Sequence, residues 1–267
     1  MSQNILAKIV AQKLGEVALR KQEVSIAQLE AMPLFGKKAY SLKSNILDKN
    51  KTGIIAEFKR QSPSKGIINN TAQVHEVTKA YSNFGASGIS VLTDQPFFGG
   101  SLADLSIAVQ HTTPVLRKEF IIDEFQVIEA KAYGASVILL IASCLTPAET
   151  ELLAGTAKEL GMEVLLELHD ASELEYICDE VDFVGINNRS LKSFEVNIEH
   201  SLQLRSQLPK NKLSIAESGI YDIATFELLK KEGFDGFLMG EYFMKQDNPA
   251  AAFELFVSQI KTNSNAL

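Results

Sequence analysis

Cysteine is nearly absent. The two residues, Cys144 and Cys178, are too few for a disulfide framework and too far apart for a metal-ligand spacing. Histidine is scarce as well, and His75, His111, His169 and His200 make no HxH or HExxH pair, so no metal and no metal cofactor is expected. Basic residues number 26 against 33 acidic ones, a net charge of −7. That balance attracts neither a polyphosphate backbone nor an anionic membrane, and nucleic acid is not an expected partner. Long apolar runs are missing too: the longest, around Ala135 to Ala142, falls far short of the about 20 residues that cross a bilayer. The opening MSQNILAKIVAQKLGEV lacks the apolar core of a signal peptide, so a reduced cytoplasm is the expected location. No low-complexity tract, linker-like stretch or long sequence repeat breaks the chain.

What is present is an ample supply of core residues: 46% of the 267 are hydrophobic, which excludes a disordered or fibrous protein. This length suits two small domains or one α/β barrel. From residue 53 onward, eight short apolar runs recur: GIIAEFK, GISVLT, PVLRKEF, SVILLIA, EVLLEL, DFVGINN, KLSIAES and DGFLMG. They begin near Gly53, Gly88, Pro114, Ser136, Glu163, Asp182, Lys212 and Asp235, at steps of 35, 26, 22, 27, 19, 30 and 23 residues. Each step holds one strand and one helix. Near-continuous apolarity marks strands buried on both faces, hence a parallel sheet. Intervening stretches such as DEFQVIEAKAYGA and DIATFELLKKEGF carry helical periodicity. Eight units close into a (β/α)8 TIM barrel, whereas an open doubly wound sheet usually has five or six and a glycine fingerprint after its first strand. The expected organisation is therefore a single barrel domain over 1–267. Residues 1–50 form its N-terminal helical extension. Within that extension, residues 4–31 read as one helix with Ile5, Ile9, Leu14 and Val17 on its apolar face, either a plug for one barrel end or a lid on the substrate pocket.

Catalytic groups of such barrels sit at the C-terminal strand ends. Strand one ends in Glu57, Phe58 and Lys59 and runs into an SPS loop at Ser62; strand three ends in Arg117, Lys118 and Glu119. Strand five ends in Glu167, strand six in Asn187, Asn188 and Arg189, strand seven in Glu217, Ser218 and Gly219, and strand eight in Met239, Gly240 and Glu241. Alternation sends Glu57 and Lys59 into the barrel and Phe58 toward the helices. A structural ion pair would explain those two alone. Two lysines, two carboxylates and an amide, adding Lys118, Glu167 and Asn187, are costly to gather at one dry mouth without a function. The glycines of ESG and MGE suit either a phosphate cradle or ordinary turn chemistry. Phe97 and Phe98 suit either stacking on an aromatic substrate or packing beneath their loop. Cys144 reads as a small buried residue rather than a nucleophile, His169, two positions after Glu167, as a strand-end histidine satisfied by a neighbouring loop rather than one reaching the mouth, and His75, His111 and His200 as helical.

Six ordered stretches, ILAKIVAQKLGEV, IIAEFKRQSPSKG, PVLRKEFIIDEFQ, LLELHD, GINNR and IAESGI, resemble the indole-3-glycerol phosphate synthases of tryptophan biosynthesis over nearly the whole chain. Because the chain stops soon after strand eight, it resembles a single-activity form with no obligate protein partner. The resemblance implies that Lys118 is the general acid and Glu167 the general base. Glu57, Lys59 and Asn187 would then orient the substrate and those two groups. It also implies phosphate on the backbone around Gly219 and Gly240, with Ser218 and Glu217 beside it and Arg189 as an anion-binding group. Ser62 would belong to the substrate wall, and Phe98 and Phe120 would hold the aromatic ring. Glu241 departs from the small or hydroxyl residue that suits a phosphate site, and its side chain is expected to face away. The implied substrate is a sugar phosphate, 1-(2-carboxyphenylamino)-1-deoxyribulose 5-phosphate, and the implied reaction yields indole-3-glycerol phosphate, carbon dioxide and water. Attack by the ring carbon on the sugar carbonyl needs a proton on that oxygen, which a lysine ammonium supplies. Dehydration then needs the hydroxyl protonated and a nitrogen proton removed. All of this is proton chemistry, for which no cofactor is expected. Two other readings fit the residues: a sugar-phosphate isomerase or an aldolase with a Schiff base on Lys118, and a barrel that binds a phosphometabolite without turnover.

Overall fold

The computed structural model describes residues 5–190 and 195–265; residues 1–4, with which the expected extension begins, lie outside the described residues. Eight strands form a closed parallel barrel: β1 (Ile54–Phe58), β2 (Gly88–Leu92), β3 (Val115–Lys118), β4 (Val137–Ile141), β5 (Glu163–Leu168), β6 (Phe183–Asn187), β7 (Leu213–Glu217) and β8 (Gly236–Met239). Each pairs with its sequence neighbours, and β1 closes the ring on β8 with Ile54 opposite Phe237 and Ala56 opposite Met239. The strands start within a residue of the positions expected from the apolar runs. Alternation separates two cores. Ile55, Leu116, Leu139, Leu165, Phe183 and Ile215 fill the barrel, while Ala56, Phe58, Val91, Val164 and Phe237 face the helices.

The helices are α1 (Ile5–Glu23), α2 (Ile26–Glu30), α3 (Leu42–Leu47), α4 (Val74–Asn83), α5 (Gln95–Phe98), α6 (Leu102–Ala108), α7 (Glu124–Ala132), α8 (Pro147–Glu159), α9 (Ile198–Arg205), α10 (Ile223–Lys231), α11 (Glu241–Met244) and α12 (Pro249–Asn265). Asp123 and Asp222 cap α7 and α10 with their carboxylates, which is why both start there. Three sequence expectations are corrected. The helix expected over 4–31 is broken at Ser25, whose side chain and Gln28 form a capping box that starts α2. Leu14 is not on the buried face of α1: it is 60% exposed, and the buried stripe is Leu6, Ile9, Lys13 and Val17. His111 lies in the turn after α6, not in a helix.

The extension divides the two tasks weighed for it. Leu42 and Ile46 of α3 enter the inner core at the strand starts, where a Cβ on Gly88 or Gly236 would meet them at 2.6 and 3.0 Å. The Glu163 carboxylate holds that plug by accepting from the Ser41 hydroxyl and the Leu42 and Lys43 amides. The other end of the barrel is met by α1.

Candidate active site

A cavity of about 180 Å³ opens at the C-terminal ends of the strands, and all thirteen residues expected to serve the site line it. Glu57 of β1 and Lys59, just past its end, line the mouth and pair at 2.6 Å. Asn187 closes β6 and donates its Nδ2 to Glu167 Oε1 at 2.9 Å, while its own Oδ1 accepts the Arg189 amide at 3.0 Å. Lys118 closes β3 and stands between two buried carboxylates, 3.0 Å from Glu167 and 2.7 Å from Glu217.

Burial by itself would lower the pKa of Lys118, but the charges of Glu167, Glu217 and Glu57 outweigh burial and hold it above the ordinary lysine value. Glu167 is buried too, which would raise its pKa, yet Lys118, His169 and Asn187 together hold it well below the usual carboxylate range. For Glu217, with a side chain only 1% exposed, burial wins over Lys118 and the pKa is pushed up to about 7. The mouth therefore holds a lysine kept charged, a carboxylate kept ionised and a second carboxyl group near neutrality.

Sequence reasoning missed several contributors. His169 was expected to be satisfied by a loop, and its Nδ1 does face Ser143 and Glu173. Its Nε2, however, stands 3.3 Å from Glu167 Oε1; its position two residues after Glu167 on the same side of the chain was the available signal. Gly185 of β6 is a second omission, since a Cβ there would lie 2.1 Å from Glu217 Oε1. Ile5, Leu6 and Ile9 of α1 and Leu139, Ile141 and Leu238 of the barrel supply apolar lining.

On one side of the cavity the Phe98 and Phe120 rings stand 5.9 Å apart at 40°. Phe98 is carried by α5, a helix where a loop was expected, capped by the Asp94 carboxylate on the Phe97 amide. Ser62 lies in a two-stranded hairpin, Gln61–Ser62 against Gly66–Ile67. The hairpin base is fixed because Arg60 grips Asp104 with both Nη atoms, at 2.6 and 2.9 Å, and its carbonyl accepts from Ile68 and Asn69.

On another side, Ser218 and Gly219 take successive left-handed conformations, φ 64° and 73°. Asn188 secures this turn by donating Nδ2 to the Ser218 carbonyl at 2.7 Å. Ser218 is the non-glycine residue with positive φ among the described residues, and such strain is held where a site requires it. Two expectations change here. Glu241 does not face away: its carboxylate lines the cavity, 3.0 Å from Arg189 Nη2 and 3.6 Å from Lys65. Arg189 also donates to the Tyr221 hydroxyl at 2.7 Å. Ion pairs with Arg189 and Lys65 draw the carboxylate inward. The glycines, moreover, leave room for protein as well as ligand. A Cβ on Gly219 would meet Val196 at 2.4 Å, and one on Gly240 would meet Glu57 Oε1 at 2.7 Å.

The family model for indole-3-glycerol phosphate synthase matches residues 6–256. An indole-3-glycerol phosphate synthase of Bacteroides thetaiotaomicron is 45% identical over 259 residues, covering 97% of this chain and 99% of that protein. Among solved structures, the tryptophan synthase α subunit of Legionella pneumophila superposes with a TM-score of 0.61 at 12% identity, covering 85% of this chain and 98% of that one. Orotidine 5'-phosphate decarboxylase of Pyrococcus horikoshii gives 0.58 at 12% identity, covering 78% and 99%. Those two likenesses concern the barrel alone.

Proposed function

The chain belongs to the indole-3-glycerol phosphate synthase family, and from that premise we propose that it converts 1-(2-carboxyphenylamino)-1-deoxyribulose 5-phosphate into indole-3-glycerol phosphate, carbon dioxide and water. One observation carries the reading. An ammonium and a carboxylate, both held ionised, face one cavity that also offers an aromatic wall and an anion-binding side. We read one barrel domain with its N-terminal extension as the whole catalytic unit, working on a small-molecule substrate without an obligate protein partner. Cys144 and Cys178 are unpaired thiols, which supports a reducing, cytoplasmic setting.

In this reading the anthranilate ring lies against Phe98 and Phe120, with Ser62 on the wall beside it. The phosphate lies by the Ser218–Gly219 turn and Gly240, within reach of Arg189 and Lys59. Glu241 is kept from the anion by its pairing with Arg189 and Lys65. Held at both ends, the substrate presents its ring carbon to its own ketone, which removes most of the entropic cost of ring closure. Lys118 protonates the carbonyl oxygen as the carbon–carbon bond forms. Loss of carbon dioxide restores aromaticity, the new hydroxyl leaves as water on protonation, and Glu167 accepts the proton that dehydration releases. Glu217, near neutrality and bonded to Lys118, is placed to return a proton to it. Glu57, Lys59 and Asn187 hold the substrate and these groups in line. A Schiff base on Lys118 needs a neutral amine, which two adjacent carboxylates oppose.

Indole fluorescence on incubation with the substrate tests the reaction, and Lys118→Met tests the acid. The variant is expected to lose about 10² to 10⁴ in kcat while still binding substrate. No fluorescence from the wild type, or near-normal turnover in the variant, would sink the corresponding assignment.

A further inference from the structure

The buried face of α1 contains one charged residue, Lys13, in line with Leu6, Ile9 and Val17. It is 4% exposed, and its ammonium donates to Glu16 at 2.7 Å and forms ion pairs with Asp94 at 2.9 Å and Glu119 at 3.0 Å. Together these charges outweigh burial and hold the amine above its ordinary pKa. An apolar side chain would seat α1 at least as well, since a buried ion pair seldom stabilises more than a hydrophobic replacement. It would not fix the direction of two separate loops.

Both buried partners of Lys13 hold the backbone of the aromatic wall. Asp94 follows β2, and its other oxygen accepts the Phe97 amide at 2.9 Å, starting the helix that carries Phe98. Glu119 follows Lys118, and its Oε1 accepts the Phe120 amide at 2.9 Å. Its Oε2 accepts from the Thr93 hydroxyl at 2.7 Å. The polar chain continues from Thr93 to Arg117, from Arg117 to Glu129 and from Glu129 back to Arg20 on α1. One turn before Lys13 on the same face, Ile9 lines the cavity.

We propose that Lys13 is a positioning residue for the reaction: through Asp94 and Glu119 its ammonium sets the separation of the Phe98 and Phe120 rings and locks the α1 wall in register with them. This rests on the reading that those rings hold the substrate's aromatic end. The Lys118 ammonium is held by Glu167 and Glu217, neither of which Lys13 touches, and its backbone by the β3 ladder opposite Leu92, so losing Lys13 should act on binding more than on chemistry.

Steady-state kinetics of full-length Lys13→Met with the carboxyphenylamino-deoxyribulose phosphate should show KM raised about tenfold or more, with kcat changed less than about threefold. Combined with Phe98→Ala, Lys13→Met should add little further to KM, as residues acting through one contact do. An unchanged KM, or effects that simply add, overturns the proposal. Should Lys13→Met not fold, Asp94→Asn retains a cap for α5 while removing one charge held by Lys13, and the same two outcomes decide. Amide exchange needs no substrate: the Phe97 and Phe120 amides should exchange at least about tenfold faster in Lys13→Met than in wild type. Equal exchange rules out the clamp. A wild type that shows faster exchange on Lys13→Met yet does not turn over this substrate separates the two claims, keeping the clamp and discarding the substrate.

Discussion

At the scale of the residue, Gly185 and Glu217 share one small volume. A methyl group on Gly185 would sit 2.1 Å from Glu217 Oε1, so Gly185→Ala must push the carboxylate away from Lys118. We expect kcat to fall about 10²-fold, the cost of displacing a catalytic group by an ångström or so, with stability lowered by about 1–3 kcal/mol from the overpacking; an unaltered kcat would remove Glu217 from the mechanism. His169 offers a test through pH. Burial would lower its pKa, but Glu167, Glu173 and Glu217 raise it above 6.5, so its contribution to stability is complete below that value and fades as pH rises through the folded-state pKa. The lowered pKa of Glu167 works oppositely, its contribution fading only in acid. His169→Gln should therefore cost more stability near pH 6 than near pH 9, measured by denaturant unfolding. A cost independent of pH would show that the imidazole is uncharged beside Glu167. Lys118 and Glu167 were legible in sequence because strand ends face the mouth. Glu241 was not, because its direction depends on Arg189 and Lys65, which arrive from other loops.

At the scale of the element, the turn after β7 shows how a loop keeps an unfavourable shape. Ser218 gains nothing locally from φ 64°; Asn188, at the end of the neighbouring strand, holds its carbonyl in place. Asn188→Ala should relax the turn and raise KM roughly three- to tenfold, the worth of one buried hydrogen bond, and weaken competition by inorganic phosphate equally. Unchanged phosphate inhibition would place the anion elsewhere. Gly219→Val is a poorer probe than strand position alone implies, since its Cβ would strike Val196 before it met any ligand. In α1, periodicity found the helix and put Ile9 and Val17 on its buried face, but it took Leu14 where Lys13 is buried. Leu14 outranks Lys13 in apolarity, and only the carboxylates of Asp94 and Glu119 make the lysine the better buried residue.

For the whole molecule, the outer core supplies stability and the mouth supplies chemistry. Phe226 of α10 is fully buried, 4.3 Å from Phe237 and edge-on to Phe256. Phe226→Ala should cost about 3–5 kcal/mol of folding stability and leave KM alone; a large change in KM would mean that the two layers are coupled. Eight apolar runs at regular spacing determined the barrel, because strands buried on both faces admit few other solutions. Their polar endings determined which residues reach the mouth, because alternation along a strand is a local property of the backbone. The tertiary structure decided the rest. It placed α1 over the mouth and α3 in the opposite end, turned Glu241 inward, brought His169 against Glu167 and buried Lys13 among carboxylates. Each of those depends on charges and volumes contributed by segments distant in sequence, and no local pattern records which of them will meet.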